Sequence, residues 1–118
     1  MAARILIVDD DPALRRALER VLRAFDLTTA ETAADAMRIL AGGAFDVILT
    51  DYGIPATDGV TLLREVEAAH PSVRRYLMTG FDATRFEVHM ASKLVRRIFP
   101  KPIDLDALRL ELSGTDAP

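Results

Sequence analysis

Short apolar runs alternate with stretches of helical spacing along the chain, and this alternation constrains the fold more than any other feature. The clearest run is Ile5-Leu6-Ile7-Val8, a continuous aliphatic segment of the kind that a parallel strand covered on both faces requires. Residues 46–50 form a second such run. Weaker strands are predicted at residues 27–30, 73–78 and 95–99. Five repeats of strand and helix predict an α/β domain with a parallel sheet, right-handed crossovers and helices on both faces.

Polar caps mark where the predicted helices begin. Asp11 followed by Pro12 predicts the start of the first helix. Thr32 opens a sequence that resembles a capping box, and Asp104 is expected to cap the last helix. Only the fourth helix, placed within residues 82–94, has a weak pattern.

Composition excludes several function classes. The 118 residues include no cysteine, which removes disulfides, thiolate metal sites and cysteine nucleophiles. The net charge of −3 gives a field that repels a phosphate backbone, so direct binding of nucleic acid is not expected. No apolar run approaches the roughly 18 residues of a membrane span, and no signal peptide is recognisable, so we expect a cytoplasmic location and no membrane partner. Residues 1–118 are expected to form one domain with a flexible tail from about residue 113.

Polar side chains follow four of the five predicted strands. Asp9 and Asp10 follow the first, Asp51 the third, Thr79 the fourth and Lys101 the fifth. Each of these residues alone is typical of a turn, a helix cap or a solvated loop. In an open α/β sheet, however, ligands bind beyond the carboxyl ends of the strands, so the five side chains are predicted to gather at one edge.

Three carboxylates, one hydroxyl and one ammonium indicate a site for a divalent cation and a phosphoryl group. Carboxylate oxygens suit Mg²⁺, which is therefore the expected cofactor. Because clustered carboxylates repel one another without a cation, one of them is expected to have a raised pKa. Asp51 is the candidate nucleophile that forms an aspartyl phosphate. The metal and Lys101 would neutralise charge on the transferring group, and Thr79 would hydrogen-bond a phosphoryl oxygen.

In this order and at these separations, the motifs resemble the receiver domain of bacterial two-component response regulators, such as the chemotaxis regulators. The matching pieces are residues 5–11, residues 46–51 with Pro55, Asp58 and Gly59, residues 77–80 and residues 100–102. The resemblance covers essentially the whole chain. It implies a flavodoxin-like (βα)5 fold with a five-stranded parallel sheet of order 2-1-3-4-5. It also implies a phosphorelay function, in which a phosphohistidine on a sensor histidine kinase or a phosphotransfer protein is the donor.

The resemblance implies a role for each residue of the acidic site. Asp51 matches the phosphoacceptor, and Asp10 and Asp51 match direct Mg²⁺ ligands. Asp9 matches the carboxylate that holds the metal largely through water. Gly53 matches the position that gives a backbone carbonyl to the ion.

A second set of matches concerns the switch. Thr79 matches the switch hydroxyl, and Lys101 matches the lysine that pairs with the acidic site, in a Lys101-Pro102 peptide where the family usually has a cis bond. The family often has an aromatic residue three positions before this lysine, but Ile98 stands there in this chain. Signal output is therefore expected to depend on Thr79 and the following loop. Phe81 lies in that loop, at a position that tunes dephosphorylation in the family.

The resemblance also implies partner surfaces. In the family the fourth helix, fifth strand and fifth helix usually receive the downstream partner, and here that region carries Lys93, Arg96, Arg97 and Arg109. An alternative interpretation is that these charges protect a terminal strand from edge-to-edge pairing.

Two alternative functions remain open. The sequence Asp9-Asp10-Asp11 contains the Asp-x-Asp of a haloacid-dehalogenase-type phosphohydrolase, but the chain is short for that fold, and Thr79 and Lys101 would be unexplained. The other alternative is a receiver-like interaction module that never accepts phosphate, which Ile98 favours weakly. We expect no enzyme activity beyond self-phosphotransfer and autodephosphorylation.

Overall fold

The computed structural model describes residues 2–114 and contains a five-stranded parallel sheet of order β2-β1-β3-β4-β5, which confirms the predicted topology. The strands are β1 (Arg4–Val8), β2 (Asp26–Ala30), β3 (Val47–Asp51), β4 (Arg74–Thr79) and β5 (Arg97–Pro100). The helices are α1 (Pro12–Val21), α2 (Ala33–Ala41), α3 (Gly59–Ala69), α4 (Glu87–Ala91) and α5 (Leu105–Ser113). Most of the predicted tail, residues 115–118, lies outside the described residues. Within residues 2–114, no helix is both long and apolar enough to span a bilayer.

Strand register places the carboxyl ends of the strands side by side. Val8 at the end of β1 pairs with Thr50 of β3, and Thr79 at the end of β4 pairs with Pro100 of β5. Because all strands run in the same direction, the residues that follow β1, β3, β4 and β5 emerge along one edge of the sheet.

Two hydrophobic clusters cover the two faces of the sheet. Alternate strand residues point to opposite faces, so Ile98 joins the cluster beneath α2 and α3 while Phe99 joins the cluster beneath α1 and α5. The continuous apolar runs of β1 and β3 are fully buried at positions 5–8 and 47–49, as two-sided coverage requires. The core therefore holds the central strands rigidly under the carboxyl edge.

The predicted caps are confirmed. The Asp11 carboxylate accepts a hydrogen bond from the Ala13 N–H at 2.9 Å, at the start of α1. The side chains of Thr32 and Asp104 each accept one from the N–H three residues further on. Each cap satisfies a backbone N–H that has no partner within its helix.

The fourth helix lies within the predicted range of residues 82–94 and occupies only part of it. It begins as a 3₁₀ turn over Ala83–Phe86 and continues as α4 for five residues. Phe86 is buried, but α4 itself buries no residue, and Val88 points into solvent. A helix that buries so little apolar surface has little packing to stabilise it, which explains its short length.

Tyr76 of β4 is fully buried in the cluster beneath α1 and α5, where its hydroxyl donates a hydrogen bond to the Glu111 carboxylate at 3.0 Å. Burial, that hydrogen bond and the negative charge of Glu111 raise the pKa of Tyr76 to about 12, from an ordinary value of 10.0. The folded state therefore holds the phenolic proton more tightly than the unfolded state. This contribution to stability is complete below about pH 10 and is lost as the pH rises towards 12, at a cost of roughly 2 to 3 kcal/mol.

We expect Tyr76→Phe to remove this loss of folding stability at alkaline pH. The free energy of unfolding of wild type and variant, measured by urea denaturation between about pH 8 and pH 11, should converge as the pH rises. Tyr52→Phe is the control, because Tyr52 is only partly buried. Parallel pH dependences for wild type and Tyr76→Phe would show that the phenol does not titrate between the two states as described.

Candidate functional site

Asp9 follows β1 and is fully buried. Its N–H donates to the Ala30 carbonyl at 3.1 Å, and its Oδ1 accepts a hydrogen bond from the Asp11 N–H at 2.7 Å. These backbone contacts fix the carboxylate at the carboxyl edge of the sheet.

Asp51 is the last residue of β3, and its side chain is 13% exposed. The loop after it folds back so closely that a Cβ on Gly59 would lie 2.5 Å from the Asp51 carbonyl oxygen and 2.9 Å from the Tyr52 Cα. The Gly59 N–H donates to the Tyr52 carbonyl at 2.7 Å. Gly59 is thus the residue that lets the loop close against Asp51.

Lys101 joins the two aspartates. Its Nζ lies 3.2 Å from Asp51 Oδ1 and 3.5 Å from Asp9 Oδ2. Its own N–H donates to the Thr79 carbonyl at 2.8 Å, and the Lys101-Pro102 peptide is cis, as the resemblance implies. The structure therefore brings Asp9, Asp51 and Lys101 together from three separate strand ends.

Burial and charge shift two pKa values within this group. Burial raises the pKa of Asp9, with a smaller contribution from the charge of Asp51, against the opposing effects of the Asp11 N–H and Lys101. The expected raised carboxyl pKa is confirmed, although burial outweighs the carboxylate repulsion on which the expectation was based. For Lys101, burial acts to lower the pKa, but the hydrogen bond to Asp51 and the charges of both aspartates together raise it.

Thr79 is fully buried at the end of β4. Its hydroxyl oxygen accepts a hydrogen bond from the Phe81 N–H at 2.9 Å. A hydroxyl that accepts in this way still has a proton to donate. The hydroxyl is therefore anchored to the start of the loop that carries Phe81.

The residues proposed as metal ligands are only partly gathered. Asp10 is exposed, and within residues 2–114 no group of three or more His, Cys, Asp or Glu side chains is spaced to hold a metal ion. Gly53 lies beside the acceptor, since a Cβ there would be 4.0 Å from Asp51 Oδ2. The oxygen atoms of these residues are the ligands that Mg²⁺ prefers. The raised pKa of Asp9 shows that its negative charge is unfavourable where it is buried, and a bound divalent cation would offset that charge.

An aromatic cluster beside Asp51 was not predicted from the sequence. The Tyr52 ring meets Phe81 edge-on at 5.7 Å and Phe86 at 4.9 Å between centroids. The Arg85 guanidinium lies 4.9 Å from the centre of the Phe81 ring. The three rings come from the loop after β3 and from the segment after β4, which are distant in the sequence, so no local pattern indicates their contact. Ile98, at the position where the family often has an aromatic residue, is buried in the same core cluster as Phe86.

An open parallel sheet whose carboxyl edge holds two aspartates bridged by one lysine places this protein in the class of receiver-type signalling domains. A family model described as "Response regulator receiver domain" matches residues 5–113. The chain therefore belongs to the response regulator receiver domain family, whose members act in two-component phosphorelays, interact with histidine kinases and downstream effectors, and generally bind Mg²⁺.

Curated relatives agree with this assignment. The chain is 34% identical over 104 residues to the DNA-binding transcriptional regulator NtrC of Escherichia coli (strain K12), a match that covers 86% of the chain and 22% of NtrC. It is 31% identical over 111 residues to the sensor kinase CckA of Brucella abortus, covering 91% of the chain and 12% of CckA. The chain thus spans less than a quarter of the length of these two relatives.

Solved structures show the same fold. The signal receiver domain of an HD domain-containing protein from Pseudomonas fluorescens Pf-5 superposes with a TM-score of 0.87 at 27% identity, covering 97% of this chain and 86% of that one. The chemotaxis response regulator CheY4 of Vibrio cholerae also has a TM-score of 0.87, at 19% identity, covering 98% of this chain and 99% of that one.

Proposed function

We propose that Asp51 accepts a phosphoryl group from a phosphohistidine on a sensor histidine kinase or a phosphotransfer protein. The observation that carries this proposal is the single ammonium of Lys101, within 3.5 Å of carboxylate oxygens on both Asp9 and Asp51. In the transfer, an Asp51 oxygen forms a bond to phosphorus. The bond between phosphorus and the donor imidazole nitrogen breaks, and its electron pair returns to the imidazole.

Exposure distinguishes the two bridged carboxylates. Asp9 is fully buried and holds the Asp11 N–H, whereas the Asp51 side chain is 13% exposed. A donor group arriving from solvent therefore reaches Asp51 and not Asp9. The Lys101 ammonium is close enough to Asp51 to neutralise charge on the incoming phosphoryl oxygens. The Thr79 hydroxyl has a proton that it can donate to one of those oxygens.

Asp9, Asp10, Asp51 and the carbonyl of Gly53 are the groups proposed to hold Mg²⁺. When bound, the cation neutralises negative charge on the carboxylates and on the transferring group. Asp9 provides the fixed side of this site because its carboxylate is anchored to backbone N–H. Asp51 provides the reacting side.

We expect Asp51→Asn to abolish covalent phosphorylation. With a small-molecule phosphodonor and Mg²⁺, intact mass spectrometry should show one added phosphate on the wild type and none on this variant. Asp106→Asn is the matched control, because the Asp106 side chain is 92% exposed on α5. An adduct that persists in Asp51→Asn would identify another acceptor. A folded wild type that never gains phosphate would favour a phosphorylation-independent interaction module, and sustained hydrolysis of a phosphomonoester would favour the phosphohydrolase.

The downstream partner is proposed to bind the face formed by α4, β5 and α5. Of the four cations expected there, Arg97 lies 3.5 Å from Glu111 and Arg109 lies 3.7 Å from Asp106. Thr79 and the Phe81 loop would carry the change at Asp51 towards this face by a shift in population between two conformations. The exchange is proposed to take place in the cytoplasm, the location expected from the sequence.

A further inference from the structure

A solvent-open cleft of about 530 Å³ lies at the amino ends of β4 and β5, at the opposite end of the sheet from Asp51. Its walls are the turn before β4, residues 71–73, and the segment after α4, residues 93–96. Its cationic lining residues are Arg74, Arg75, Lys93 and Arg96. No acidic residue in the described part of the chain lines it. We call it the basal cleft.

Arg75 holds the two walls of the basal cleft together. Its guanidinium donates to the Leu94 carbonyl at 2.8 Å on one wall, and to the Val73 and Pro71 carbonyls at 3.0 and 3.2 Å on the other. It also pairs with Glu67 at 3.5 Å. The Arg75 guanidinium is thus paired within the protein and is not free to bind a partner. Its hydrogen bonds to both walls mean that the cleft is preformed.

Three further cations in the cleft are not compensated in this way. Arg74, Lys93 and Arg96 form no ion pair with any residue in the range 2–114, in contrast to Arg97 and Arg109 on the neighbouring face. The chain as a whole carries a net charge of −3. A local concentration of unpaired positive charge on an acidic protein favours an anionic partner.

The backbone at Lys93 supports a role for its side chain. Lys93 follows the end of α4 with φ of 66°, in the left-handed region that helix ends usually assign to glycine. A lysine there is strained relative to glycine. The Lys93 ammonium forms no ion pair with residues 2–114, while the Lys93 backbone is held by hydrogen bonds to the Met90 carbonyl at 3.0 Å and from the Arg75 guanidinium at 3.4 Å.

The cleft also offers apolar surface. Met90, which is 41% exposed, lines it together with Leu94 and Val95. A small inorganic anion would leave this surface uncovered. A peptide that carries acidic side chains and one apolar side chain matches both kinds of surface.

We propose that the basal cleft binds an acidic peptide segment of a partner protein, with carboxylates on Arg74, Lys93 and Arg96 and an apolar side chain on Met90. The proposal rests on the partner-binding role proposed above: it names the chemistry of the partner, and it extends the contact from Lys93 and Arg96 to Arg74 and the turn before β4. It does not require phosphoryl transfer.

The test uses a fluorescein-labelled twelve-residue peptide of alternating glutamate and glycine with a central leucine. We expect saturable binding by fluorescence anisotropy that weakens as salt is added, with amide NMR shifts confined to residues 71–75 and 90–96. The triple variant Arg74→Gln/Lys93→Gln/Arg96→Gln should bind about tenfold more weakly or worse. The variant Arg16→Gln/Arg20→Gln/Arg23→Gln, on and just after α1, removes the same charge and should keep its affinity within about twofold.

Lys93→Gly separates binding from folding. Glycine adopts the left-handed backbone without strain, so this variant should be at least as stable as wild type and still bind the peptide more weakly. Equal losses of peptide affinity in the two triple variants would overturn the proposal, because they would show that the peptide responds only to the overall charge of the protein. Displacement of the peptide by inorganic phosphate at the same concentration would also overturn the proposal, because the cleft would then be a site for small anions. If the protein accepts phosphate at Asp51 but does not bind the peptide, the proposal for the basal cleft is wrong and the proposed function of Asp51 stands.

Discussion

Gly59→Ala is expected to lower the free energy of unfolding by about 2 to 3 kcal/mol. The added Cβ would stand 2.5 Å from the Asp51 carbonyl oxygen and 2.9 Å from the Tyr52 Cα. Both atoms belong to the backbone, so no side-chain rotation relieves the clash. Relief of the clash requires the start of α3 and the end of β3, which carries Asp51, to move apart.

Urea denaturation measures the loss of stability, and intact mass after a fixed exposure to phosphodonor measures acceptor function. Gly42→Ala is the control, because its Cβ would meet nothing closer than 3.8 Å at the end of α2. That variant should be unchanged, or stabilised by about 0.5 kcal/mol through the unfolded state. An unfolding midpoint for Gly59→Ala equal to that of wild type would mean that the loop does not approach Asp51 as described.

Lys101→Met is expected to destabilise the metal-free protein by about 3 kcal/mol near neutral pH. The substitution keeps the length of the side chain but leaves Asp9 fully buried without its cation, beside the second carboxylate of Asp51. The pKa of Asp9 is already raised, and loss of Lys101 raises it further. A carboxyl whose pKa is higher in the folded state favours folding at low pH and opposes it as the pH rises, so the loss should shrink on acidification.

The pH dependence is checked by urea denaturation in metal-free buffer at about pH 7 and pH 5. The double variant Asp9→Asn/Lys101→Met should recover much of the loss, because asparagine keeps the oxygen that accepts from the Asp11 N–H but carries no charge. Lys93→Met controls for the loss of an exposed lysine. Equal instability of the single and double variants would contradict an electrostatic origin.

The central position of β1 and β3 and the meeting of Asp9 and Asp51 at one edge follow from local sequence, whereas the order 2-1-3-4-5 was expected from the family resemblance. The buried runs of β1 and β3 have to lie in the centre of the sheet, and parallel pairing then brings the residues after them to one edge. The caps at Asp11, Thr32 and Asp104 follow in the same way, because capping depends only on neighbouring residues.

Features that depend on distant contacts could not be predicted. The structure forms a helix over only part of residues 82–94, because α4 buries none of its own residues, and Phe86 packs against Tyr52 from the loop after β3. The approach of Gly59 to the Asp51 carbonyl depends on the path of a seven-residue loop, residues 52–58, rather than on its composition. The main cause of the raised pKa of Asp9 is burial, which a charge pattern alone does not reveal.

Strand β4 connects the two ends of the sheet, with Arg74 and Arg75 at its start and Thr79 at its finish. Six extended residues cover about 20 Å, so the basal cleft and the edge that holds Asp51 are about that far apart. The proposals for Asp51 and for the basal cleft together predict a ternary complex, in which a second protein would remain bound at the cleft while the kinase binds and leaves. Tethering of that kind would keep the effector at high local concentration throughout each cycle of phosphorylation.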